Sequence, residues 1–337
     1  MICRLSADWT SSFIIEGSQY YQHSQKSSIL AKKLLIVNYS KVIDAVLNPN
    51  PQMPCIELYK GLGSEVYRVD TPTPLVVRVS NGDKDYFKFQ AEMMEAIAAN
   101  DEITPRIHFW KMNERSNPMR GIQVQSYLPG VQLDHYPSPK ESRAIVKSVY
   151  KIHQRLCGVS DTFGWSISAD VDEVLRNHLS KVGDCPVKEA ANQLLHHKRY
   201  KELITTRHQY LSHFDLWPKN LLIETKKDLI KVRIIDFDTF FGPKLLQPAV
   251  LFASCFLVSS LMYRSAYLPL SDLEEVIEYW PEPLDRQDLL LMMQLFPIVV
   301  GLKAEYAFGR FPEYTQEHHN SNIHLIMGCL NNILKWL

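Results

Sequence analysis

At 337 residues, with 46% apolar and 22% charged side chains, the chain has length for about two domains and the makeup of a globular protein. Its 37 basic and 37 acidic residues cancel, so no global field selects nucleic acid or an anionic membrane, and charged ligands must be met by local charge. Six scattered cysteines without a C-x-x-C pair, and an N-terminus without a basic segment leading into an apolar stretch, predict a reduced, cytoplasmic protein with no signal peptide.

Residues 1–52 precede any recognisable motif. Ile29 to Leu47 carries enough Leu, Ile and Val for one or two helices, ended by Asn48-Pro49-Asn50-Pro51, and reads as an extension packed on the main body. Short β-type runs follow from Cys55: Ile56 to Tyr59, a glycine loop at Gly61-Leu62-Gly63-Ser64, Val66 to Val69, and Leu75 to Val79. Helical spacing of Phe89, Met93 and Ile97 predicts a helix from about Asp85 to Ala99, and the alternation over Gly121 to Leu128 predicts another strand. Residues 53–128 thus form a small unit of three to five strands and one helix.

Residues 129–337 read as mainly helical. Ile145, Val149, Ile152 and Leu156 mark one buried stripe, and a single β-hairpin interrupts the helices, with strands Leu221 to Ile223 and Leu229 to Ile235. The longest apolar run, Ala249 to Met262, is broken by Ser254, Ser259 and Ser260. It is shorter than the roughly 18–20 residues of a membrane span and predicts a buried core helix.

The chemistry concentrates around the hairpin. His213-Phe214-Asp215-Leu216-Trp217-Pro218-Lys219-Asn220 enters it and Asp236-Phe237-Asp238 leaves it. Phosphoryl transfer asks a protein for oriented groups and charge stabilisation rather than covalent help. Asp215 suits an acceptor hydroxyl and its proton, and Asn220 with Asp236 offers hard oxygen ligands for magnesium. His213 holds the loop through hydrogen bonds, and Asp238 is a further ligand or a loop acceptor. Taken alone, the H-x-D-x-x-x-x-N spacing fits a turn equally well; the strand ending in Asp236 favours the catalytic reading. Upstream, Gly61, Gly63 and Ser64 could close backbone amides over phosphates, while Arg78 on a strand and Glu92 on the next helix could form a phosphate-facing ion pair.

These segments, from about Ile56 to Phe256, resemble the aminoglycoside phosphotransferase and choline kinase-like family. The resemblance implies a bilobal, α+β, protein-kinase-like fold, with a β-rich nucleotide lobe over 53–128 and a helical lobe over 129–337. It implies ATP and Mg2+ as cofactors, Asp215 as catalytic base, Asn220 and Asp236 as metal ligands, and a hinge at Gln125 to Leu128, Tyr127 included, holding adenine. Arg78, Asp238 and Thr104-Pro105-Arg106-Ile107 lean toward the choline and ethanolamine kinase branch. Gln247-Pro248 stands where the family usually has aspartate and leucine, and Phe214 and Trp217 depart from protein kinases.

The expected partner is a small-molecule hydroxyl acceptor, an amino alcohol such as choline or else an aminoglycoside or sugar-like alcohol; no nucleic acid or membrane partner is expected. A pseudokinase is the alternative from another class. Glu274, Glu275, Glu278 and Glu282 around Tyr279-Trp280 could wall a cation site, or form a solvated helix face anchored by one tryptophan.

Overall fold

The computed structural model describes residues 39–47, 55–60, 64–81, 84–98, 102–113, 120–160, 170–205, 209–308, 310 and 315–337. The chain divides into two compact units, the first over 1–87 and 107–127, the second over 88–106 and 128–337.

In the first unit, α1 (Tyr39–Leu47) precedes strands β1 (Cys55–Lys60), β2 (Ser64–Val69) and β3 (Leu75–Asn81). Helix α2 (Lys84–Ile97) starts here but belongs to the second unit from Lys88 onward, as does the chain up to Arg106. Strands β4 (Ile107–Asn113) and β5 (Arg120–Ser126) complete an antiparallel sheet ordered β1-β2-β3-β5-β4. Strand period explains its core: Leu75, Val77 and Val79 of β3 point to one face and are buried, while Val76 and Arg78 point to the other. The amphipathic α1 covers the buried face, where Val42, Ile43 and Ala45 join Val69, Ile122 and Val124. Residues 1–38 and 48–52 of the expected extension lie outside the described residues. Gly121 permits a close approach here: a Cβ at this position would sit 2.3 Å from the ring of the buried Phe87.

The second unit begins its helices with α3 (Pro139–Ser160), α4 (Val171–Leu179), α5 (Pro186–His196) and α6 (Lys198–Ile204). Helix α3 buries Ile145, Val146, Val149, Ile152, His153 and Leu156, the stripe expected from its periodicity. Its solvent stripe is unusual, since Lys140, Arg143, Lys147 and Lys151 follow one another at spacings of three or four residues and are all exposed. Like charges at that spacing cost a helix on the order of 1 kcal/mol over three pairs.

Strand β6 (Val131–Gln132) pairs with β8 (Leu221–Lys226), which pairs with β9 (Leu229–Ile234). The hairpin turn is tighter than expected, because Glu224 to Lys226 continue β8 and only Lys227-Asp228 remain to turn the chain. A second ladder leaves no pattern in the sequence: β7 (Tyr210–His213) pairs antiparallel with β10 (Thr239–Gly242), and His213 faces Thr239. His213 is therefore the last residue of a strand rather than the first of a loop.

The remaining helices are α7 (Leu246–Leu251), continued through a π-helical turn (Phe252–Leu257) into α8 (Val258–Arg264), then α9 (Leu270–Ile277), α10 (Arg286–Met293), α11 (Leu295–Ala307) and α12 (Gln316–Leu334). The apolar run at Ala249 belongs to a 19-residue helix, Leu246–Arg264, longer than the sequence pattern suggested. It and Arg286–Ala307 are long and apolar enough to cross a membrane, but their apolar windows are 83% and 78% buried within the fold, as core helices are.

Candidate active site

Two pairings in the second unit assemble the motif residues. The β8–β9 hairpin brings Asn220 and Ile235 together, with the Ile235 N–H donating to the Asn220 carbonyl at 3.0 Å. The β7–β10 ladder brings the Phe214 N–H to the Asp238 carbonyl at 2.8 Å. The loop carrying Asp215 is thus tied at both ends to the segment carrying Asp236 and Asp238.

Within this frame the Asn220 side-chain amide donates to the Asp215 carboxylate and to the Asp215 carbonyl, each at 2.9 Å. Its nitrogen is spent on Asp215, which leaves the amide oxygen as the end available to a cation. Asp215 keeps part of its surface open to solvent. Burial of its carboxyl, reinforced by the negative charges of Asp236 and Asp238, nevertheless pushes its pKa up to about 7. Lys303 on α11 acts the other way, its ammonium lying 3.5 Å from the Asp238 carboxylate and favouring the charged form of Asp215.

His213 is fully buried and stacks on Phe237 with ring centroids 4.3 Å apart. The Asp215 N–H approaches its Nδ1 at 3.2 Å, and burial drives its pKa down to about 4, so the imidazole is neutral at physiological pH. It works as a wedge and hydrogen-bond partner inside the loop. Gln247 braces the same residue from α7, accepting from the His213 N–H at 2.8 Å and donating to its carbonyl at 3.1 Å.

Asp236 sits in the left-handed region at φ 57°, a conformation that non-glycine residues adopt rarely and at a cost. Gln90 of α2 helps hold this turn, donating to the Phe237 carbonyl at 2.9 Å, while Thr239 meets the sulfur of Met93 at 3.6 Å. Gln90 and Lys303 lie far from the motifs in sequence, whereas Gln247 follows Asp238 by nine residues. Gln247 alone carried a signal, as a departure from the family pattern.

Phe214 is buried against Phe240 and Phe296, with ring centroids 5.1 and 5.9 Å away, so the position that is arginine in protein kinases serves the core. Trp217 is half-buried and meets Phe296 edge-on at 5.5 Å.

In the first unit, Gly61 and Gly63 lie outside the described residues, and Ser64 opens β2. Arg78 stands mid-strand, paired in register with Val66 on one side and Gln123 on the other. Gln125 donates to Gln123 at 3.0 Å, and the Arg68 guanidinium lies over the Tyr127 ring at 4.8 Å. In the second unit, Leu128 is buried, and Glu92 is exposed on α2 with its carboxylate 3.9 Å from Lys88 one turn earlier.

The acidic and aromatic segment near Trp280 follows the plainer of its two readings. Trp280 is 5% exposed and packs on Tyr150, His153 and Phe252. Glu282 is paired with Lys244 at 2.8 Å, Glu274 with Arg286 at 2.6 Å, and Glu275 accepts from Tyr279 at 2.7 Å. Those three carboxylates already have partners within the chain.

The donor set around Asp215 fits magnesium. The Asn220 amide oxygen and the Asp236 carboxylate are hard ligands, and among the described residues no three His, Cys, Asp or Glu side chains form a ready-made cage. An ion that keeps its waters and leans on substrate phosphates needs few protein ligands.

A family model described as APH, the phosphotransferase enzyme family, matches residues 55–241. No curated protein sequence matches the chain. Among solved structures, a thermostable mutant of aminoglycoside phosphotransferase APH(4)-Ia, in ternary complex with AMP-PNP and hygromycin B, aligns with a TM-score of 0.58 at 17% identity, covering 88% of this chain and 98% of that one. The GDP complex of a mutant aminoglycoside 2'-phosphotransferase-IIIa aligns at 0.57 and 13% identity, covering 88% and 98%. Plasmodium vivax ethanolamine kinase aligns at 0.53 and 12% identity, covering 89% and 84%. All three have the kinase-like fold expected from the sequence.

Proposed function

This chain belongs to the phosphotransferase enzyme family, and on that premise we propose that it is a small-molecule kinase moving the γ-phosphate of a magnesium-bound nucleotide, ATP in the first instance, to an acceptor hydroxyl. The observation that carries the reading is the Asp215–Asn220 hydrogen bond beside two further carboxylates, Asp236 and Asp238. A base whose pKa lies near neutrality can orient the hydroxyl and take its proton late in the transfer.

In this reading Asn220 plays two parts, its nitrogen aiming the Asp215 carboxylate and its oxygen facing the cation. Asn220 and Asp236 would hold magnesium, which when bound neutralises developing charge on the phosphates. Lys303 adds a positive charge at the edge of the same cluster. His213 and Gln247 keep the loop in place and take no part in proton transfer. By the family resemblance, Arg78, Glu92, Gln125, Tyr127 and Leu128, with Gly61, Gly63 and Ser64, would hold the nucleotide.

An amino alcohol such as choline or ethanolamine is the first acceptor class to try, and an aminoglycoside the second. Arg78 and Asp238 support the former; the engaged carboxylates around Trp280 take away one support for it. The test is magnesium-dependent nucleoside diphosphate release across amino alcohols, aminoglycosides and sugars, beside Asp215→Ala. We expect one class to stimulate release and Asp215→Ala to lower it by roughly 100-fold or more. Turnover that survives Asp215→Ala removes the assignment of the base. A nucleotide that binds while no acceptor is ever phosphorylated points to a pseudokinase.

A further inference from the structure

The second unit carries a groove of about 450 Å³ unrelated to the motif residues. One wall is the solvent stripe of α3, with Lys140, Arg143, Lys147 and Lys151, and the other includes Lys231 of β9. Half-buried Ala144 and Ile230 form the accessible apolar floor, backed by the buried Ile103 and Val232, and Asp228 is the one acid in the lining.

Three features separate this groove from an ordinary solvated face. The chain as a whole is neutral, so five cations against one acid is a local concentration. Among the described residues Lys140, Lys147 and Lys151 have no acidic partner, whereas Lys231 pairs with Glu102 at 2.9 Å and Arg143 lies over the Tyr279 ring at 4.8 Å. The helix keeps this like-charged ladder although acids at alternate steps would stabilise it. Glu141, the acid of α3, is turned away to cap the helix start through Ser138. A cleft lined by one sign of charge with apolar walls focuses field and gathers counter-charge.

We infer that this groove docks an extended acidic peptide segment of a partner protein, its carboxylates on the lysines of α3 and its alternate apolar side chains on the floor. Lys140 to Lys151 spans roughly 16 Å of helix, the length of about five extended residues. The alternation of an extended chain delivers charge to the walls and apolar groups to the floor at once, as in other acidic-motif recognition. A flat anionic bilayer can use the lysines but not the recessed floor, and an oligonucleotide has no apolar side chains to place on it.

The experiment uses the full chain and a fluorescein-labelled peptide of alternating glutamate and leucine, about eight residues long, followed by anisotropy. The expected result is saturable binding that weakens at least tenfold between low and high salt, with no binding of the matched lysine and leucine peptide. Charge reversal at Lys147→Glu and Lys151→Glu should abolish it, and the milder pair Lys147→Gln and Lys151→Gln should weaken it severalfold with nucleotide binding unchanged. Peptide binding that ignores both pairs of substitutions overturns the proposal. So does tighter, groove-dependent binding of a single-stranded oligonucleotide or of phosphatidylserine vesicles.

Discussion

Gln247 satisfies both backbone polar groups of His213, accepting from its N–H and donating to its carbonyl from a fully buried position on α7. A carboxylate there could accept from the N–H but could not donate to the carbonyl at neutral pH. The amide therefore does more than the aspartate usual in this family could, and it does so two residues before Asp215. Gln247→Ala leaves two buried backbone groups without partners, each worth about 1–3 kcal/mol. We expect urea unfolding to show a loss of roughly 2–4 kcal/mol together with reduced turnover. Gln247→Glu should cost at least as much, because the surviving bond to the His213 N–H is outweighed by a buried negative charge set against the His213 carbonyl. Equal stability for Gln247→Ala and the parent chain would remove Gln247 from the architecture of the loop.

Gln90 offers a narrower test. Its amide reaches the Phe237 carbonyl, so it steadies the turn in which Asp236 is held at positive φ. Gln90→Leu keeps the bulk in a buried position and removes the bond to the Phe237 carbonyl, which is worth about 1 kcal/mol. The expected signature is a small drop in melting temperature with a larger proportional drop in kcat than in nucleotide affinity. A drop in affinity alone would show that Gln90 does not act through the turn.

The motif spacing, the strand leading toward Asp236 and the buried stripe of α3 were legible because each rests on local periodicity or on adjacency in sequence. The β7–β10 ladder was not, since each strand is four residues long and the partners are separated by the whole hairpin. Four residues carry too little alternation to distinguish a strand from a loop. The role of Gln247 was hidden for a related reason: its target is the backbone of His213, and backbone acceptors leave no mark on side-chain identity. Near Trp280 the sequence displayed the acids but not Lys244 and Arg286, which approach them only in the folded chain.

Acid stability should depend on His153. Burial on α3 holds its pKa down at about 4, against about 6.5 in an unfolded chain. Glu282 favours the charged form weakly and Lys244 opposes it, so burial decides the direction. Above pH 6.5 both states are neutral and the group adds no pH dependence. As pH falls from 6.5 toward 4, the unfolded chain takes up a proton that the folded chain refuses, and stability is lost. The loss is about 2 kcal/mol between pH 7 and pH 5. Because His213 follows the same sign, the measurement is a difference between the parent and His153→Met in urea unfolding at the two pH values. The variant should lose about 2 kcal/mol less than the parent. Identical losses would mean that His153 takes up its proton in the folded state.

Asp236 joins a chemical demand to a conformational one, and two substitutions separate them. Its backbone at φ 57° is tolerated by Asp and Asn, strained for most residues and worst for β-branched ones. Asp236→Asn keeps the backbone preference and one ligating oxygen while removing the negative charge. Asp236→Val removes the oxygens and adds strain of about 1–3 kcal/mol. If the carboxylate is there for magnesium, Asp236→Asn should unfold at nearly the parent temperature, lose turnover by about a hundredfold or more and require more magnesium for half-maximal rate. Asp236→Val should lose both turnover and stability. Should Asp236→Asn turn over normally at the parent's magnesium requirement, the charge has no part in the reaction, and Asp236 is only the residue that suits the turn.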